Sequence, residues 1–269
     1  MIRRAAVAGQ FYPGDRESLQ SNLVALTGGK SPPTEPRGIA LLVPHAGYMY
    51  SGRVAGQTYT AVRLAGRVVI LCPNHTGQGE AIAINDEGFW ETPLGRVTID
   101  APLARAVLAG CPEARIDRAA HAREHSLEVQ LPFLQHLLGE VTLVPICVGT
   151  LNLRTLLELG RAVASAVQQD GGEILLIVSS DMSHYVPAAF ARTQDHKAIE
   201  RIVALDPEGL HRVVLKEDIS MCGMAPAVAG LEAARRLGAG EARLVAYGHS
   251  GETTRDLRSV VGYAGVAVT

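Results

Sequence analysis

IALLVPHAGYMYSGRVAGQTYTAVRLAGRVVILCPNHTG, residues 39–77, reads as strand, helix, strand, with a histidine just past the end of each strand. IALLV and VVILC are unbroken apolar runs, as expected of strands buried on both faces of a parallel sheet. Between them Ser51 is placed to cap a helix over 52–64. His45 and His75, 30 positions apart (75 minus 45), then stand at equivalent strand ends, the region where α/β proteins place their chemistry. Gly47 allows the backbone to turn closely beside His45. Adjacent parallel strands lie about 4.8 Å apart, so two such imidazoles reach one ion if their strands are neighbours. Taken singly, a histidine here reads first as a hydrogen-bonded turn residue; the pair is what points to metal.

The alternation continues outward. Strands are expected at 38–44, 67–72, 141–148, 173–179, 242–247 and 259–267. Helices are expected at 15–26, 52–64, 101–109, 124–138, 151–168, 188–204, 206–214 and 223–237. Turn residues Asp86, Gly88, Pro93 and Gly95 make 80–99 a β-ribbon. The pattern predicts an α/β fold with a mixed, mostly parallel sheet flanked by helices. The linker-like TGGKSPPTEPRG, 27–38, lies too near one end to divide domains, so residues 1–269 read as one domain.

Three further motifs follow apolar runs or open helices. SSDMSHY, 179–185, supplies Asp181 and His184, a carboxylate and an imidazole suited to general acid–base work. The alternative is a turn cap beside a surface histidine. SMCGMAP, 220–226, sets Cys222 at a helix start, where the dipole favours a thiolate. Cys72, Cys111 and Cys147 read as small core hydrophobes, and the absence of any CxxC pair suits a reducing compartment. HAREHSLEVQLPFLQHLLG, 121–139, carries a leucine stripe at 127, 131, 134 and 138 with Glu124, His125 and Glu128 in its first turn. The acids suit the dipole; His125 does not, and is expected with Glu124 at the cleft. His249, in AYGHSGET, and Tyr48 are further pocket candidates.

A formal charge of -2, from 25 basic and 27 acidic residues, provides no stripe for phosphate backbones, so nucleic acid is not an expected partner. MIRRAAVAGQFYPGD has no signal-like apolar core and no run reaches a membrane span, so a cytoplasmic protein is expected. Walker A, GxGxxG, GxSxG and HExxH motifs are absent, which leaves nucleotide, serine-hydrolase and zincin readings unsupported.

AVAGQFYPGD, PHAGYMYSG, PNHTG, EHSLEVQLPFLQ, SSDMSHY and SMCGMAP together resemble, in order and over nearly the whole chain, the Memo family, named for a mediator of cell motility. The resemblance implies the fold of the class III extradiol (LigB-type) dioxygenases, with His45, His75 and Cys222 holding one metal ion and Asp181 and His184 as cleft carboxylate and acid–base histidine. It also implies AMMECR1-like and radical-SAM partners. The dioxygenases hold iron with two histidines and a carboxylate; a thiol in the third place pulls toward zinc or copper(I), although Asp181 would restore an oxygen ligand. Iron is therefore the first expectation, with copper and zinc as alternatives. Three readings stand: redox chemistry on a small molecule or protein side chain, a zinc hydrolase, and a module that binds a peptide or partner without turnover. A homodimer is compatible with all of them.

Overall fold

The computed structural model describes residues 1–269. In chain order the elements are β1 (Ile2–Arg3), α1 (Arg16–Thr27), β2 (Ala40–Val43), α2 (Tyr48–Tyr59), β3 (Arg67–Pro73), β4 (Ile82–Ile84), β5 (Phe89–Thr92), β6 (Gly95–Ile99), α3 (Ala101–Gly110), β7 (Ala114–Ile116), α4 (Ala119–Ala122), α5 (His125–Glu128), α6 (Leu131–Leu138), β8 (Thr142–Val148), α7 (Leu153–Asp170), β9 (Ile174–Ser179), β10 (His184–Val186), α8 (Ala188–Val203), α9 (Pro207–Lys216), α10 (Met224–Arg236), β11 (Ala242–His249), α11 (Gly251–Thr254) and β12 (Val260–Val268).

The sheet runs β1-β5-β6-β8-β3-β9-β2-β12-β10, with β11 on β12 and β4 and β7 beside β8. Its centre, β6-β8-β3-β9-β2, is parallel, and β12 turns antiparallel against β2. This is the α/β fold that the alternating pattern predicts. Successive strand residues point to opposite faces. Ala40 and Leu42, with Val69 and Leu71, meet α3, α7, α8, α9 and α10 on one face. Leu41 and Val43, with Val68, Ile70 and Cys72, meet α1, α2 and α6 on the other. Both faces are thus dry, which is why the strands read as unbroken apolar runs. No helix is long and apolar enough to cross a membrane.

Three local expectations change. β2 and β3 are not neighbours: β9 lies between them, pairing Val43 with Ser179 and Leu71 with Val178. The helix after His45 begins at Tyr48 rather than 52, and Ser51 does not cap it; the Ser51 hydroxyl donates to the Ala46 carbonyl (2.9 Å). The expected helix over 124–138 is broken into α5 and α6 at Val129 and Gln130. Pro132 lacks the N–H a continuing helix needs and is accommodated in the first turn of α6. The 80–99 segment forms a β5–β6 hairpin, while β4 departs to pair with β8 and β7.

Candidate metal centre

At the C-terminal ends of the parallel strands three imidazoles converge. One nitrogen from each of His45, His75 and His125 lies within 4.8 Å of the others. The His75 and His125 rings stack at 4.7 Å, and His45 meets His75 edge-on at 5.2 Å. His45 and His75 come from the loops after β2 and β3, and His125 opens α5.

Hydrogen bonding orients the His45 and His75 rings. Because Val43 pairs with Ser179, the Ser179 hydroxyl sits beside His45, 2.9 Å from Nδ1. That hydroxyl spends its single proton on the Ser126 carbonyl (2.6 Å), and Gln130 Nε2 donates to it at 2.9 Å. Ser179 Oγ can therefore only accept from His45, so Nδ1 carries the proton and Nε2 keeps a lone pair. Burial, then the nearby His75, His125 and His184, holds the His45 imidazole well below its usual range, so it is neutral.

The same logic orients His75. Its Nδ1 lies 2.9 Å from Glu124 Oε1, and its backbone N–H donates to Oε2 at 2.7 Å. Ser126 adds two donors to Oε1, from its amide (2.9 Å) and hydroxyl (2.6 Å). Burial alone would raise the Glu124 carboxyl, but the His75 bond and charge and the Ser126 donors outweigh it and hold it at about 2. An ionised, fully buried carboxylate on Nδ1 leaves Nε2 of His75 to face outward, the arrangement that orients metal-binding histidines. His125 is held low, at about 4, by burial that the Glu124 charge only partly offsets. Its ring also packs on Phe11 at 4.6 Å.

Cys222 Sγ lies 3.2 Å from the free Nε2 of His45 and 3.7 Å from the Asp181 carbonyl. The thiolate expected from a helix start does not form in the metal-free chain. Gly223 is the N-cap of α10, which leaves Cys222 one residue outside the helix, and burial followed by the Asp181 carboxylate pushes the thiol up. Asp181 Oδ1 accepts the His45 amide (2.7 Å), and Oδ2 stands 4.0 Å from His45 Nε2. Burial, partly offset by that amide, raises Asp181 to about 6. His184 donates its amide to Ser220 Oγ (2.7 Å), and its Nδ1 meets the Ser220 carbonyl at 2.9 Å. A carbonyl only accepts, so Nδ1 of His184 carries a proton. Ser220 thereby ties the His184 loop to the Cys222 loop.

The structure thus brings His45, His75, His125, Glu124 and Cys222 into one cluster, with Asp181 and His184 on its flank. It does not bring in Tyr48, whose buried phenol donates to the Val129 carbonyl (2.6 Å), or His249, which lines a separate cavity of about 460 Å³ with Tyr50 and Tyr263. Ser179, Ser126, Gln130 and Ser220, the groups that set the tautomers, were not singled out from the sequence; their place inside SSDMSHY, EHSLEVQLPFLQ and SMCGMAP was the available signal. Glu128 turns away to the N-terminal segment, pairing with Arg3 and accepting from Ala6 N (2.8 Å), Val7 N (3.1 Å) and the Tyr12 phenol (2.6 Å). The three imidazole nitrogens that converge suit a transition metal and not the oxygen-seeking Mg²⁺ or Ca²⁺, while Cys222 touches only the His45 member of that group.

Comparison with known proteins gives a consistent family assignment. The family profile described as "Memo-like protein" matches residues 3–267. A MEMO1 family protein of Methanopyrus kandleri is 42% identical, covering 99% of this chain and 98% of its own. A MEMO1 family protein of Aquifex aeolicus is 42% identical, with 98% of each chain covered. The crystal structure of an uncharacterized protein from Escherichia coli K12 shares the fold at a TM-score of 0.57 and 14% identity, covering 87% of this chain and 100% of that one. The chain belongs to the Memo family.

Proposed function

We propose that the cluster binds one metal ion through His45, His75 and Cys222, with His125 as a further nitrogen donor, and serves redox chemistry on a small molecule or protein side chain entering the cleft. The observation that carries this reading is the tautomer control. Ser179 and Glu124 each accept a hydrogen bond from Nδ1–H, which in the neutral imidazoles directs the Nε2 lone pairs of His45 and His75 to the same place. An iron or copper ion there would supply one-electron chemistry. Iron is the metal proposed, from the dioxygenase-like resemblance.

The chain's own contribution is to hold and move protons. Asp181, raised to about 6, changes protonation state close to neutral pH, and His184, whose Nδ1 is held by the Ser220 carbonyl, is its proposed acid–base partner. The Cys222 thiol would lose its proton on binding a cation, and with His45 Nε2 taken up as a ligand the Asp181 carboxylate, 4.0 Å from that nitrogen, is the acceptor proposed. A cytoplasmic setting, expected from the sequence, belongs to the same proposal, as do AMMECR1-like and radical-SAM partners, which rest on the resemblance alone.

Metal analysis of protein purified without oxygen tests the reading. Iron or copper near one equivalent, lost in His45→Ala, His75→Ala and Cys222→Ala, is expected. Zinc lost on the same substitutions would move the reading to a hydrolase, in which metal-bound water is activated. Metal content unchanged in all three variants, or no metal in any sample, refutes it.

A further inference from the structure

The segment between β9 and β10, Ser180 to Ser183, has no ladder of its own, yet it is held almost residue by residue up to His184, which opens β10 opposite Val261. Ser180 N donates to the Val43 carbonyl (3.0 Å), Met182 N to the Gly262 carbonyl (2.8 Å) and Gly262 N back to the Ser183 carbonyl (2.8 Å). The Ser183 amide, one residue before His184, donates to a side chain instead, Asp195 Oδ1 at 2.9 Å. Asp195 lies on α8, is fully buried, and accepts the Tyr247 phenol on its other oxygen at 2.7 Å. A buried carboxylate is costly unless its oxygens are satisfied, and here both are.

Gly262 supplies an independent sign that the chain is built around this carboxylate. A Cβ at that position would overlap Asp195 Oδ2 and press on Met182. The residue that exchanges two backbone bonds with the His184 segment thus also leaves the space the carboxylate occupies. The next residue in the segment, Tyr185, is held at φ 58°, a left-handed conformation that a bulky side chain adopts only when its surroundings impose it.

From this geometry we infer that Asp195, braced by Tyr247, is a positioning residue for His184. It fixes the Ser183 amide, and with it the path that delivers the His184 amide and Nδ1 to Ser220. The inference rests on the reading of His184 as the proton-carrying group. Asp195 is the only charged side chain that accepts a backbone amide of residues 182–184. Its removal therefore frees the one amide of residues 182–184 whose acceptor is neither backbone nor Ser220.

The test is the tautomer of His184, read by long-range ¹H–¹⁵N correlation on metal-free protein. The wild-type chain is expected to show a single form with the proton on Nδ1. Asp195→Asn keeps an oxygen for the Ser183 amide and should keep that form. Asp195→Ala should give a mixture of both tautomers, and Gly262→Ala, which displaces the carboxylate without removing it, should do the same. The His45 and His75 signals, set by Ser179 and Glu124, should not move in any of them. If Asp195→Ala does not fold, Tyr247→Phe carries the test, with the single form again lost. A fully Nδ1-protonated His184 in the folded Ala variants, or in Tyr247→Phe when it stands in for them, overturns the inference, whatever the change in melting temperature. Failure of the metal proposal would appear in metal content alone and would leave this readout intact.

Discussion

Replacing Glu124 with glutamine removes one charge and converts one carboxylate oxygen into a donor. The carboxylate now accepts four donors: the His75 amide and Nδ1, and the Ser126 amide and hydroxyl. The best placement of glutamine keeps its oxygen on the three donors at Oε1 and sets its NH₂ against the His75 amide. One buried donor is then unpaired, at about 1–3 kcal/mol. The carboxyl's displacement from 4.5 to about 2 sets a similar scale, roughly 3 kcal/mol. A loss of about 2–4 kcal/mol in the metal-free protein, roughly 5–10 °C in melting temperature, is expected. Metal affinity should fall about 10- to 100-fold, as for other carboxylates that orient metal-binding histidines. Competition against a chromophoric chelator measures the second quantity, and thermal unfolding the first. The folded-state carboxyl lies below its unfolded value, so its contribution is full above about 4.5 and is lost as pH falls toward 2. The wild-type advantage over the variant should shrink across that window. A variant that loses stability but binds metal with unchanged affinity would show Glu124 to be only the cap of α5, and the tautomer argument for His75 would fail.

Two other substitutions probe separate features. Tyr185→Gly relieves a left-handed backbone at an exposed position, so its melting temperature should rise by roughly 2 °C over Tyr185→Ala; a glycine variant less stable than the alanine one would show that no strain is held there. Buried His121 is held at about 4, below its unfolded value near 6.5, so the fold loses stability as pH falls from 6.5 to 4, by up to about 3 kcal/mol. His121→Gln keeps a donor for the Ala83 carbonyl but cannot take up a proton; urea unfolding at pH 7.5 and 5 should show a smaller pH dependence, and an unchanged one refutes the assignment.

The strand and helix alternation was readable because both faces of the central sheet are dry, which leaves unbroken apolar runs. Strand order was not. Nothing local to IALLV or VVILC says that ILLIVS will lie between them, because that depends on how the crossovers pack. The two histidines still meet, at 5.2 Å, across the end of β9, whose Ser179 becomes the acceptor for His45. His125 was placed in the cleft from its misfit with a helix dipole, but its entry into the same group as His45 and His75 depends on the break before α6. Pro132 announced that break, and the leucine stripe across it argued the other way. Cys222 was judged from the helix it precedes, whereas burial and the Asp181 charge decide its protonation.

The grip of Glu128 on Arg3, Ala6, Val7 and Tyr12 has a practical side. The first dozen residues act as a strap, and Phe11 at its end forms a wall of the His125 ring. Trimming it would strand a buried carboxylate, at about 3–5 kcal/mol, and expose one side of the cluster to bulk water. The Met1 carbonyl, by contrast, is bound to the Phe89 amide at 3.0 Å beside β5. Affinity handles should therefore be appended ahead of Met1, where they leave along the sheet edge, and deletions meant to aid crystallisation should stop short of Arg3.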